Sequence, residues 1–251
     1  MRSLKRFITR KTQAKASNID KDAPGDPALV DYITPNEDVL SILKRYDTVF
    51  VVDDSYSMRS ESRWKDAEMA LASVAQAAAS YDADGIEIHF LNSPISESYL
   101  KSAQAVNAVF NSVQPRGGTP LGSRMGVLLA DYLARLKKDQ SIKPVNYIVI
   151  TDGEPTDGNM LEDVIVRAAG KLDAQNASPM QVGIQFVQVG DSASARRYLE
   201  ALDDLLKHKH HIRDMVDTTP SQHGKLDIVK VLLGAINRRV DVKGSGAFAK
   251  A

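Results

Sequence analysis

Short apolar runs alternating with helical stripes restrict, more than anything else in this chain, the folds open to it. Runs at 48–52, 86–91, 145–150 and 182–189 are rich in Val, Ile and Phe and read as strands. Between and after them, apolar residues recur every three or four positions. Trp64, Ala67, Leu71, Val74, Ala75 and Ala78 form one stripe, and Leu121, Met125, Leu128, Leu129, Tyr132 and Leu136 a second. Leu161, Val164, Ile165, Ala168 and Leu172 form a third, with Asn159 and Glu162 placed as a capping box at its start. Tyr198, Leu199, Leu202 and Leu206 make a fourth, and Leu226, Val229, Leu232, Leu233 and Ile236 a last. Such alternation predicts an α/β protein with a doubly wound, mostly parallel open sheet flanked by helices.

With 251 residues, 43% of them hydrophobic, the chain can bury a sizeable core. Residues 1–30 are polar, contain the breaker-rich "KDAPGDP", and are expected to be disordered. Residues 31–241 are expected to form the domain, beginning with a short helix at 37–45 capped by Asn36, and 242–251 a loose tail. A helix at 101–112, an edge strand at 95–100 and a short final strand at 212–216 complete the expected elements.

Acids and bases number 32 each, so charge balance offers no argument for nucleic acid or an anionic membrane as partner. No apolar run is long enough to span a bilayer. The absence of cysteine excludes disulfides, thiolate zinc sites and a cysteine nucleophile. The first 17 residues carry six bases and no acid, without the apolar centre of a secretory signal. A solvated basic tail on a cytoplasmic protein is the expectation, ahead of a mitochondrial transit peptide leading to the matrix.

The function-bearing stretch is "VFVVDDSYSM" at 49–58, where a doubly buried strand ends in a knot of oxygen atoms. In open α/β sheets, ligands bind outside the carboxyl ends of the strands. The first strand ends in Asp53, Ser55 and Ser57. The third ends in "VITDGEPTD" with Asp152, and "PRGGTPLG" places Thr119 ahead of a long helix. Two carboxylates and three hydroxyls are hard oxygen donors, suited to Mg²⁺ or Mn²⁺ rather than zinc. A tight loop brings positions i, i+2 and i+4 around one point, so Asp54 and Tyr56 are expected to point elsewhere. Two carboxylates side by side also raise one pKa unless a cation intervenes. Thr119 has a second, purely structural reading as the N-cap of a helix with Pro120 at its first position.

"DDSYS", "GGTPLG" and "ITDGEPTDG", in that order, resemble the von Willebrand factor type A domain and its metal-ion-dependent adhesion site. Asp53, Ser55 and Ser57 match the family's D-x-S-x-S element, Thr119 its threonine and Asp152 its aspartate. "YDTVFVVDDS", "HFLNS" and "KVLLGAINRR" are similar to stand-alone fungal members. Tyr56 departs from the glycine frequent between the two serines. The resemblance implies a Rossmann-like fold and a divalent ion held by the five residues. It also implies a partner protein whose Asp or Glu carboxylate completes the shell.

The rival reading is a Mg²⁺-dependent phospho-acceptor or phosphoryl-transfer enzyme using Asp53, as in receiver domains. It lacks the lysine such domains need at the end of a later strand. Haloacid-dehalogenase phosphatases want an aspartate where Ser55 stands, and no G-x-S-x-G elbow frames a serine nucleophile. A third reading is a scaffold whose metal only stiffens the loops. "HKHH" at 208–211 reads as positive charge after a helix end, and "RSESRWK" at 59–65 as a solvated loop with Trp64 in the core. Glu154 and Asp157 read as turn formers around Pro155 or as rim to the metal.

Overall fold

Val49 and Val51 face one side of the first strand, Phe50 and Val52 the other, and all four are buried. Double burial of this kind makes β1 (Asp47–Val52) a central strand. The structure, a computed structural model, describes residues 39–60, 62–79, 81, 85–220 and 228–237. The expected disordered segment 1–30, the cap Asn36 and the tail 242–251 lie outside the described residues.

Among the described residues, five further strands join β1: β2 (Ile86–Phe90), β3 (Ser96–Leu100), β4 (Val145–Thr151), β5 (Val182–Gln188) and β6 (Val216–Pro220). Their order in the sheet is β3-β2-β1-β4-β5-β6. All neighbours are parallel except the edge strand β3, which runs antiparallel to β2. The predicted doubly wound, mostly parallel open sheet is therefore what the chain forms. The helices are α1 (Arg63–Ala79), α2 (Ala103–Ser112), α3 (Leu121–Lys138), α4 (Met160–Ala174), α5 (Ala193–Asp204), α6 (Leu206–His210) and α7 (Ile228–Leu233). Tight 3-10 turns occupy Val39–Arg45, Tyr56–Arg59 and Gly234–Ile236.

Each face of the sheet has its own apolar layer. Leu71, Val74 and Ala78 of α1, Val106 and Phe110 of α2 and Leu232 of α7 cover Phe50, Val52, Ile88 and Ile148. Leu121, Met125 and Leu129 of α3, Leu161 and Ile165 of α4 and Leu199 of α5 cover Val51, Val149, Ile184 and Phe186. Burying one such side chain stabilises the fold by about 1.5–3 kcal/mol. Trp64 stacks on Phe90 and Phe110, with centroids 6.1 and 4.7 Å away, which places it with the core as its stripe predicted. Among the described residues, no helix is long and apolar enough to cross a membrane.

Three local expectations are corrected. The final strand begins at Val216, not 212. Arg213 donates to Asp173 Oδ1 and to the carbonyl of Ser178, which ties the preceding segment to the end of α4 before the chain enters the sheet. The capping box at α4 does not form: Asn159 makes no side-chain cap bond, and Glu162 pairs instead with Lys209 and His210. Those two residues belong to α6 rather than trailing a helix end, so part of the "HKHH" charge serves to pin α6 to α4.

Candidate metal centre

The sheet's winding reverses between β1 and β4, which opens a crevice beyond their carboxyl ends. Register then decides which residues meet there. Val52 pairs with Ile150, and the Asp53 amide donates to the Ile150 carbonyl at 2.8 Å. Asp53 consequently lies level with Thr151, whose Oγ1 donates to Asp53 Oδ2 at 2.7 Å. The Ser55 amide donates to Asp53 Oδ1 at 2.9 Å. Asp53 is wholly buried. Burial pushes its carboxyl up to about 6, against the pull of the Thr151 and Ser55 hydrogen bonds, and the Asp152 charge adds a smaller push the same way. The expected carboxylate pairing is thus present, but loss of water outweighs the neighbouring charge.

Beside Asp53 runs a chain of hydroxyls. Ser55 Oγ lies 2.9 Å from Ser57 Oγ, and Ser57 Oγ donates to Asp152 Oδ1 at 2.9 Å. Asp54 turns the other way and accepts from the amides of Asn92 (2.7 Å) and Ser93 (2.9 Å), anchoring the end of β2. Tyr56 projects outward, 66% exposed, with the Arg59 guanidinium 5.1 Å from its ring centre. The i, i+2, i+4 convergence read from the spacing is what the loop does.

Thr119 joins through its backbone. Its amide donates to Thr156 Oγ1 and its carbonyl accepts from the Thr156 amide, both at 2.9 Å. The Tyr56 amide donates to the Gly117 carbonyl, and the Arg116 amide to the Asp54 carbonyl. The three predicted segments are therefore stitched into one crest. Asp53, Ser55, Ser57 and Asp152 are linked by direct hydrogen bonds, and Thr119 is buried in the loop held against them.

The structural alternative for Thr119 is corrected. Pro120, not Thr119, occupies the cap position of α3 and makes no cap bond. Asp157 supplies the cap from another loop, accepting from the Gly122 and Ser123 amides at 3.3 and 2.7 Å. "RSESRWK" is also more than a solvated loop: Arg63 Nη1 donates to Asp152 Oδ2 at 2.8 Å. Sequence reasoning missed that contact. One signal was available, since an arginine at the first position of a helix opposes the helix dipole unless an acid meets it.

The sequence profile of the von Willebrand factor type A domain matches residues 47–219. The chain belongs to the von Willebrand factor type A domain family. No curated protein matches it. Among solved structures, it is similar to the pilus adhesin SpaC from Lactobacillus rhamnosus GG in two forms. One has a TM-score of 0.45 and 17% identity over 69% of this chain and 28% of the adhesin. The other, an open conformation, has a TM-score of 0.46 and 16% identity over 81% and 30%. Proximal thread matrix protein 1 from the mussel byssus is also similar, at a TM-score of 0.42 and 15% identity over 69% and 43%. This chain thus spans less than half of each of those proteins.

Von Willebrand factor type A domains are commonly interaction modules and often bind a divalent ion, so the crest must be judged as a cation site. Its donors are all oxygen, as Mg²⁺ and Mn²⁺ prefer. Ligands at about 2.0–2.1 Å on adjacent octahedral corners lie about 2.9 Å apart. The Ser55–Ser57 and Ser57–Asp152 separations, both 2.9 Å, suit that edge as well as they suit hydrogen bonds. Among the described residues, no group of three or more His, Cys, Asp or Glu side chains gathers to hold a metal. A cation held here would draw on hydroxyls as well as carboxylates for its protein ligands. The residues present fit a small divalent cation.

Proposed function

We propose that this von Willebrand factor type A domain is a protein-interaction module that grips an acidic side chain of its partner through a divalent cation. Asp53, Ser55, Ser57, Thr119 and Asp152 would hold Mg²⁺ or Mn²⁺, directly or through water. The observation that carries this reading is the run of oxygens Ser55, Ser57 and Asp152 spaced at 2.9 Å beside the buried Asp53. A cation bound there, with the neutral hydroxyls of Ser55, Ser57 and Thr119 among its ligands, keeps a positive field toward its open position, which attracts Asp or Glu. The chain's own part is to orient the donors. Thr151 and the Ser55 amide fix Asp53, Ser57 fixes Asp152, and Thr156 and Asp157 lock the Thr119 loop.

The phospho-acceptor reading is not favoured. Strand β5 leads into Val189, Gly190 and Asp191, not into a lysine. The test is affinity capture of partners in Mg²⁺ and again in EDTA, with the Asp53→Ala, Asp152→Ala double variant alongside. Partners lost in EDTA and in the variant support the proposal. Magnesium-dependent binding that survives both substitutions rules it out.

A further inference from the structure

Asp152 presents two oxygens to two different neighbours. Oδ1 accepts from Ser57 on the crest, and Oδ2 accepts from Arg63 Nη1 behind it. The Asp152 side chain is 1% exposed and that of Arg63 18%, so the pair is largely removed from water. Three elements place the guanidinium. Arg63 opens α1, whose start is tied by the Asp66 amide to the Ser62 carbonyl and by Ser62 Oγ to Asp66. The loop after β4 carries Asp152. The loop after β5 carries Gly190 (φ +73°), where an added Cβ would sit 3.1 Å from Arg63 Nε. A glycine there leaves the arginine its room.

We propose that Arg63 is a built-in counter-cation: it holds Oδ2 of Asp152 and lowers the affinity of the crest for a divalent ion. The inference rests on the cation-site reading above and deepens it. A divalent cation on Oδ1 shares one carboxylate with the guanidinium on Oδ2. The two positive groups repel, and each draws on the same negative charge. Arginine does not lose its proton to relieve this. The acidic side chain of a partner brings the missing negative charge. Cation and partner therefore bind with positive coupling, and Arg63 is the residue that makes the cation alone insufficient.

The test is a Mn²⁺ titration followed by the electron paramagnetic resonance signal of the free ion. Wild type is compared with Arg63→Gln, Arg63→Lys and Asp152→Asn. Arg63→Gln is expected to bind Mn²⁺ about tenfold more tightly than wild type, and Arg63→Lys within about threefold of it. Asp152→Asn is expected to lose binding. If Arg63→Gln binds Mn²⁺ equally or more weakly while wild type binds, Arg63 only positions Asp152 and the inference is overturned. Failure of every chain to bind Mn²⁺ overturns the cation-site reading itself. Should Arg63→Gln not fold, the Nε–H resonance of Arg63 in wild type is followed during Mg²⁺ addition. A shift absent from Asp152→Asn supports the inference, and an unmoved resonance overturns it.

Discussion

Two buried polar regions of this sheet face different neighbours. One is the crest beyond β1 and β4. The other is the floor beneath the 3-10 turn Gly234–Ile236, formed by Asn146 of β4, Gln185 of β5, and Asp217 and Thr219 of β6. On the floor, Asn146 Nδ2 donates to the Leu232 carbonyl at 2.8 Å, and the Ala235 amide donates to Gln185 Oε1 at 3.2 Å. Gln185 Nε2 also donates to Thr219 Oγ1, and Lys230 lies 3.3 Å from Asp217. These side chains bond backbone and one another, and the one carboxylate, Asp217, meets Lys230 within the chain. The crest instead brings two carboxylates, Asp53 and Asp152, together with one guanidinium. Buried polarity whose charge is matched fixes where an element docks. Buried polarity whose charge is not matched leaves charge for something outside to answer.

The largest expected effect separates the two regions by charge. Asp53→Asn, measured by urea unfolding in EDTA, should stabilise the metal-free chain by about 3 kcal/mol at pH 7. The Asp53 carboxyl is raised from 3.8 to about 6 in the folded state, so its stabilising contribution is full below about pH 4 and lost as pH rises through 6. Asparagine does not titrate, so the gap should close toward pH 4. Asparagine also keeps the geometry, since its carbonyl can accept from the Ser55 amide while the Thr151 hydroxyl rotates to accept. A gap independent of pH would place the crest in the same class as the floor.

Next comes Gly234→Ala on the floor. A Cβ there would overlap Asp217 Oδ2 and Gln185 Oε1, both buried, so the turn Gly234–Ile236 must shift. A loss of about 2 kcal/mol is expected, with Mn²⁺ affinity unchanged. A parallel change in Mn²⁺ affinity would show that the two regions are coupled.

Asp157→Ala removes the cap of α3 at the edge of the crest and should cost about 1 kcal/mol in thermal or urea unfolding. A loss much greater than that would mean the loop between β4 and α4 collapses as a unit. Tyr56→Gly should be the mildest change, within about 0.5 kcal/mol and with Mn²⁺ affinity held, because the ring faces solvent. A marked change in affinity would make Tyr56 part of the crest.

The crest was more legible in the sequence than the floor, and the reason lies in spacing. Asp53, Ser55 and Ser57 lie within five residues, so a local turn suffices to gather them. The polar residues of the floor are spread over three strands, Asn146 in β4, Gln185 in β5 and Asp217 and Thr219 in β6, and announce nothing until those strands align. Gln185 stands inside a run that reads simply as buried strand. Caps were misread because partners came from elsewhere in the chain: Asp157 reached the α3 amides ahead of Thr119, and Lys209 and His210 drew Glu162 away from the start of α4.

Taken alone, the amino-acid sequence determined the alternation of strands and helices, the two apolar layers and the three oxygen-bearing segments at the strand ends. Those follow from side-chain periodicity and short-range geometry, which act within a few residues. Only the tertiary structure decided that Arg63 meets Asp152, 89 positions away, and that Asp157 caps a helix 35 positions before it. Such pairings depend on sheet register and strand order, which are settled by burial over the whole chain rather than by any stretch of it.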